Sequence, residues 1–311
     1  MSTVTTEIPS WRTFPVTVRR LRRLSPSFLR VTFTGDDLDR FADNGFDVRV
    51  KLLLPAPACG LSKLPDGADW FTKLRALPVE EQCPLRTYTV RAVRQTRREV
   101  DVDIVIHPEA PGGDGPVATW ARRIQTGDEI VLLGPNGEFD GFHGGMDFQP
   151  PDSTHRVLIV GDETAVPAAC AIVERLPGHI ETQVLLEVPE TADARAIEAD
   201  LPETPACVRV AVLPRDGAEH GAKLIPAVRE VMTRLLPHTA SGTEVEDVDV
   251  DTTLLWESPG AEARTSHGLY AWLAGEAAVI KTLRRHLVSE RGVDRKSVAF
   301  MGYWRRGKAE Y

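Results

Sequence analysis

Cysteine is scarce in this chain, four in 311 residues. Cys59, Cys83, Cys170 and Cys207 show neither C-x-x-C spacing nor a nearby histidine pair. This argues against a zinc site or a disulfide framework, and leaves them as small core or surface residues. No apolar run is long enough to cross a bilayer as a helix. Met1 to Pro15 lacks the basic-then-apolar pattern of a secretory leader, so a cytoplasmic protein with no stable membrane insertion is expected. The formal net charge of -8 argues against nucleic-acid binding as the main role. G-x-G-x-x-G is missing, which disfavours an ordinary Rossmann dehydrogenase. No convincing Ser/His/Asp triad or carboxylate pair suggests hydrolytic chemistry.

What is present suffices for two cores: 311 residues, 42% of them hydrophobic. Pro150-Pro151-Asp152-Ser153 reads as the linker between domains 1–152 and 153–311. Before it, short alternating segments with regular turns predict a small antiparallel Greek-key barrel. Its strands fall at Phe14–Thr34 (two strands and a turn), Val48–Leu54, the Arg86 segment, Val100–Ile106 and Ile130–Leu133. Residues 55–83 are too long for a simple hairpin loop and read as a local cover. After the linker, apolar strands alternate with helical stretches, the mark of an α/β domain with a parallel sheet.

Arg86-Thr87-Tyr88-Thr89 puts a cation, a flat aromatic and two hydroxyls on one extended segment. Arg offers a fork to pyrophosphate, Tyr a stacking face and Thr hydrogen bonds to a ring edge, as a flavin needs. The same tetrapeptide also suits an ordinary half-buried strand. About one hairpin later, Gly112 to Ala121 runs from glycines into a helix, a phosphate cradle at Gly115 to Thr119 with Val117 and Ala118 in its first turn. Val157–Val160 is a buried strand delivering Gly161-Asp162-Glu163-Thr164 to a helix, where an α/β sheet holds a nucleotide. Gly275-Glu276 opens another helix. Gly302-Tyr303-Trp304-Arg305-Arg306 follows the last strand, with its aromatics expected to be exposed beside cations. Lys51 lies inside an apolar strand and must reach an edge or a cleft. Arg19, Arg20, Arg22 and Arg23 read as a solvated outer face.

Charge segregates late in the chain. Ser241 to Ala263 carries seven acids and no base, and Lys281 to Lys308 nine bases against two acids. The acidic stretch suits a surface loop.

Together, Val50 to Pro55, the Arg86 segment, His107, Gly161-Asp162-Glu163-Thr164-Ala165-Val166-Pro167-Ala168, Ala274-Gly275-Glu276 and Gly302-Tyr303-Trp304-Arg305 resemble the siderophore-interacting protein family. These are FAD-dependent ferric-siderophore reductases of ferredoxin-reductase-like fold. The resemblance spans nearly the whole chain. It implies FAD held by Arg86, Thr87, Tyr88, Thr89, His107, Gly115, Val117, Ala118 and Thr119. It implies a nicotinamide nucleotide, NADPH or NADH, at Gly161 to Thr164 and Gly275-Glu276. A ferric siderophore is then the expected acceptor, and because such a chelate is an anion, the charge pattern makes Lys51, Arg305 and Arg306 its expected docking cations. Electrons pass through the flavin, so no protein residue need act as acid or base and no resident metal is implied. Ferredoxin is a further partner to consider, a non-catalytic flavin- or siderophore-binding module is the rival reading, and the expected state is a monomer.

Overall fold

The computed structural model describes residues 8–65, 67, 69–106, 115–201, 204–236, 246, 249, 253–259, 265 and 268–307. His107, Gly112 to Asp114 and most of the acidic stretch lie outside them. Two compact units emerge. The first takes in residues 8–23 and 29–145, the second 24–28 and 146–307.

In the first unit β1 (Trp11–Arg23), β2 (Phe28–Thr34), β3 (Arg49–Leu53), β4 (Leu85–Arg94), β5 (Glu99–Val105) and β6 (Glu129–Pro135) close a barrel in the order β1-β2-β5-β4-β3-β6. β3 pairs antiparallel with both β4 and β6, and β6 also pairs with β1, which removes the free edge. β5 shows why this sequence makes a barrel wall. Val100, Val102 and Ile104 point into the core, and Glu99, Asp101 and Asp103 alternate outward. Those acids are nonetheless buried, because arginines lie over them. Arg30 grips Asp103 at 2.7 and 2.8 Å, Arg94 grips Asp101 at 2.8 and 2.7 Å, and Arg19 reaches Glu99 at 3.1 Å. Arg19 is therefore an ion-pair partner as well as a surface residue, and Arg20 donates to Thr32.

The excursion over residues 55–83, including helix α1 (Trp70–Ala76), packs Ala56, Leu74 and Cys83 on Leu53, Val131 and Leu133 of the outer wall. It is the cover that its length suggested. A later short helix, α2 (Pro116–Ala121), sends Val117 and Ala121 into the barrel core.

The second unit holds a six-stranded sheet in the order β10-β12-β11-β7-β8-β9. Its strands are β7 (Arg156–Gly161), β8 (Glu181–Val188), β9 (Val208–Pro214), β10 (Trp256–Glu257), β11 (Leu269–Glu276) and β12 (Val298–Trp304). All pairings are parallel except the short β10 against β12. Every residue of β11 is buried, as expected of a central strand covered on both faces. Helices α5 (Leu224–Leu235) and α6 (Ala277–Arg285) bury Leu224, Val228, Met232, Ile280 and Leu283 against the sheet. α3 (Val166–Val173) and α4 (Thr191–Asp200) complete the described α-helices of this unit. Among the described residues, no helix is long and apolar enough to cross a membrane.

The acidic stretch gains one local role. Glu257 takes bidentate bonds from both Arg284 (3.2 and 3.0 Å) and Arg295 (2.9 and 2.9 Å), so the two segregated charge blocks meet there.

Candidate functional site

The β3–β4 register decides which side of the barrel wall each residue of the Arg86 segment occupies. Val50 pairs with Tyr88, Lys51 with Thr87 and Leu52 with Arg86. Val50 and Leu52 are core residues, and Tyr88 packs against the same core cluster. Burial drives the Tyr88 phenol well above its usual range, so it stays neutral. Arg86 shares that side and donates from Nη1 to its neighbour's carbonyl, Leu85 O, at 2.8 Å. Thr87 lies on the opposite side, exposed, and accepts from Lys51 Nζ at 3.0 Å. Thr89 is buried. Burial, and next the charge of Arg49, lower the pKa of Lys51. A half-buried ammonium held by a neutral hydroxyl beside a second cation favours an anion.

The features a flavin nucleotide needs are compatible with this unit. Gly115 is the N-cap of α2, and a Cβ there would meet nothing within 4 Å among the described residues. Val117 at the first turn joins the core cluster that Tyr88 packs against. A cation, a half-buried aromatic and an open helix start are the donor set expected around a flavin and its phosphates. Ala118 and Thr119 follow on the same turn, both half-buried.

In the second unit the strand order reverses at β7, whose neighbours are β8 on one side and β11 on the other. Ligands of open α/β sheets bind beyond the carboxyl ends of such a pair. Gly161 and Ala274 are in register there, and Asp162 and Gly275-Glu276 follow them. Asp162 is a junction rather than a free carboxylate. It accepts from Thr164 N at 2.9 Å, Thr164 Oγ1 at 2.5 Å, Glu276 N at 2.7 Å and the indole Nε1 of Trp304 at 2.8 Å. Glycine is required at 275: its φ is 150°, and a Cβ would stand 2.7 Å from Asp162 Oδ2. Trp304 also meets His220 edge-on, with ring centroids 4.9 Å apart. Burial, then Arg215, lower the pKa of His220, whose buried Nδ1 has no hydrogen-bond partner among the described residues.

Glu163 is fully buried and carries a bidentate pair to Arg215 at 2.7 and 2.9 Å. Arg215 also reaches Glu187, buried on β8, at 3.4 Å. Glu163 therefore serves the framework through its side chain. Sequence reading missed Arg215, Glu187 and His220. The one signal was a charge directly after an apolar strand, Arg215 following Val208–Pro214.

Tyr303 and Trp304 are half-buried, contrary to the exposed aromatics expected from sequence. Tyr303 stacks on Trp256 at 5.6 Å and meets Trp272 edge-on at 6.3 Å. Strand β10 brings Trp256 beside β12, which the sequence alone did not reveal. Arg306 is exposed and paired with Glu219, and Arg305 is half-buried. Lys51 belongs to the first unit and the two arginines to the second.

Two opposing effects act on Asp162. Burial first, and then the neighbouring Glu163 charge, push it up to about 7, while the Thr164 and Trp304 donors pull it down. The Trp304 indole N–H resonance should therefore titrate with a midpoint near neutral pH in the wild type and lose that titration in Asp162→Asn. A midpoint below about 4 would mean that the four donors outweigh desolvation.

A closed antiparallel barrel followed by a parallel-rich α/β sheet matches the ferredoxin-reductase-like fold. Residues 17–139 match the siderophore-interacting FAD-binding domain, and residues 154–307 match the siderophore-interacting protein domain. The chain belongs to the siderophore-interacting protein family. It is 30% identical over 297 residues to the ferric vibriobactin reductase ViuB of Vibrio cholerae, covering 94% of this chain and 89% of that one. The NADPH-dependent ferric-chelate reductase of Escherichia coli is 27% identical over 293 residues, covering 93% of this chain and 91% of that one. The siderophore-interacting protein SipS from Aeromonas hydrophila superposes with a TM-score of 0.66 at 26% identity, covering 96% of this chain and 94% of that one.

Proposed function

We propose that this protein is an FAD-dependent reductase that passes electrons from a nicotinamide nucleotide, NADH or NADPH, to a ferric siderophore and so releases iron as Fe(II) inside the cell. Residues 1–152 would form the flavin domain and residues 153–311 the nucleotide domain, with the terminal arginines on the acceptor side. The observation that carries the reading is Lys51. It is a partly buried cation on the flavin-type barrel with a neutral hydroxyl as partner and no carboxylate among the described residues. Such a group attracts an anionic chelate.

Bound FAD would supply the conversion between two-electron hydride chemistry and one-electron delivery. The residues of this chain do the rest. Arg86 and the α2 start would take the phosphates, Tyr88 would provide an aromatic surface, Thr87 and Thr89 would offer hydroxyls, and His107 would complete the set. Lys51, with Arg305 and Arg306, would recruit the chelate. Fe³⁺ is a hard cation held by anionic oxygens, and reduction weakens that hold. Names of the relatives support the acceptor class: one is a ferric vibriobactin reductase, another a ferric-chelate reductase.

The test is an anaerobic spectrum of the purified protein. A bound flavin should be bleached by NADH or NADPH and recover on adding a ferric catecholate siderophore. Lys51→Ala should raise KM for that anionic acceptor about 5- to 10-fold, the loss of roughly one exposed-to-buried charge contact. Flavin content and oxidation by a neutral acceptor should be unchanged. Protein without flavin would favour a binding module, and recovery only with ferredoxin would name a different acceptor.

A further inference from the structure

The cover over residues 55–83 doubles back on itself. Leu54 N donates to Pro84 O and Ala58 N to Glu80 O, both at 2.9 Å, so its outgoing and returning arms lie side by side. Within the outgoing arm Ala56 and Gly60 exchange both backbone bonds at 2.9 Å, and Gly60 takes a φ of 62°. This tight reversal brings Cys59 to the returning arm, where Cys83 sits just ahead of β4.

Two sulfurs meet there that no spacing in the sequence pairs. Cys59 Sγ lies 4.0 Å from Gly60 O and 3.7 Å from Glu81 O, and Cys83 Sγ lies 3.7 Å from the same Gly60 O. Burial raises the Cys83 thiol, a backbone bond from Ala56 opposes that, and the charge of a Cys59 thiolate adds to it, which requires the two groups to be close. The pair is unequal. Cys83 is 4% exposed and packs with Ala56 and Leu74 on Leu53, Val131 and Leu133, whereas Cys59 is half-buried. Lys63 donates to Glu81 Oε1 at 2.6 Å; that bond first, and further down the charge of a Cys59 thiolate, raise the Lys63 pKa, so a cation stands beside the more accessible sulfur. An accessible thiol beside a cation is where oxidation starts, and a second thiol within reach diverts it to a disulfide.

We propose that Cys59 and Cys83 are a reversible redox pair, which a peroxide closes into a disulfide that ties the two arms of the cover together. The Cys59 thiolate attacks one peroxide oxygen and breaks the O–O bond, which leaves Cys59 as a sulfenic acid and releases hydroxide. Cys83 then attacks Cys59 Sγ, and its thiol proton leaves with the sulfenic oxygen as water. The hydroxide takes up the proton that the Cys59 thiol gave up, so two thiols and one peroxide become one disulfide and two waters. The new bond encloses the segment that carries α1 and restricts the unfolded cover more than the folded one. The pair lies wholly in the first unit and uses none of the residues assigned to flavin or acceptor.

Peptide mapping by mass spectrometry tests it on the full chain, first reduced and then treated with about tenfold hydrogen peroxide in the absence of nicotinamide nucleotide. The wild type should lose two hydrogens in one cross-linked peptide pair, Cys59 to Cys83, and dithiothreitol should restore both thiols. Oxidised wild type should melt several degrees above the reduced protein. Cys83→Ala should accumulate a Cys59 sulfenic acid that dimedone traps, Cys59→Ala should leave Cys83 reduced, and neither variant should melt higher after oxidation. Melting curves of the reduced variants check that the fold is kept. Both wild-type thiols left free, Cys59 carried on to a sulfinic acid without the cross-link, or Cys59 joined to Cys170 or Cys207 instead would each overturn the pair. A Cys59–Cys83 cross-link that leaves the melting curve unchanged would overturn the fastening of the cover.

Discussion

Arg215→Met should lower the unfolding midpoint of the second unit by about 10 °C. The side chain is 7% exposed, and its carboxylate partners Glu163 and Glu187 are 0% and 1% exposed. Removing the cation leaves two buried acids without the guanidinium they share, a loss of about 3–5 kcal/mol in comparable buried pairs. For a unit of this size each kcal/mol moves the midpoint by about 2–4 °C. Glu163→Met in the same chain should recover most of the loss, because it removes the acid whose two oxygens depended on Arg215. Glu187 keeps its three backbone donors in that double variant and needs the arginine less. Differential scanning calorimetry on single and double variants reads both effects. A single-variant shift under about 2 °C, or no recovery in the double variant, would show that the ion cluster is not what holds these strand ends together.

This cluster also marks where sequence reading stops. β5 could be read from its alternation, since Val100, Val102 and Ile104 are apolar at every second position and a period of two has one structural meaning. The parallel sheet could be read from Val157–Val160, an apolar run too short for a helix and followed by a turn. Glu163 and Glu187 precede Arg215 by 52 and 28 positions along the chain. Only the β7–β8–β9 pairing brings them together, and no local pattern encodes that. The same holds for Tyr303. A tail with three cations looks solvated until Trp256, inside a stretch read as a loop, pairs into the sheet and stacks on it. Lys51 was legible as an oddity, a cation in an apolar strand, but its partner Thr87 follows from the β3–β4 register. Gly161 to Thr164 and Gly275-Glu276 were legible as strand-to-helix turns at the sheet edge. That carboxylates occupy their amides was not, because a Glu after a glycine can cap its own helix or stand clear of it.

The flavin assignment stands or falls with Arg86. Its guanidinium is anchored to its own strand through Leu85 O, opposite the core residue Leu52, so its direction is set before any ligand arrives. A pre-oriented fork loses little entropy on meeting a pyrophosphate and can make charge-assisted bonds worth about 1.5–3 kcal/mol. Arg86→Ala should therefore weaken FAD by about 10- to 100-fold, measured by fluorescence titration of the flavin-free protein. Arg86→Lys keeps the charge without the planar fork and should fall between. The discriminating ligand is riboflavin, which has the same ring system and no phosphate. Wild type and Arg86→Ala should bind riboflavin within about twofold of each other, since the lost contact is to phosphate. Circular dichroism and melting curves exclude a folding defect in the variant. An Arg86→Ala protein that binds FAD as tightly as wild type would move the phosphates elsewhere. One that loses riboflavin and FAD equally would make Arg86 a support for the barrel wall around Tyr88, and the pyrophosphate would then have to rest on the backbone at the start of α2 alone.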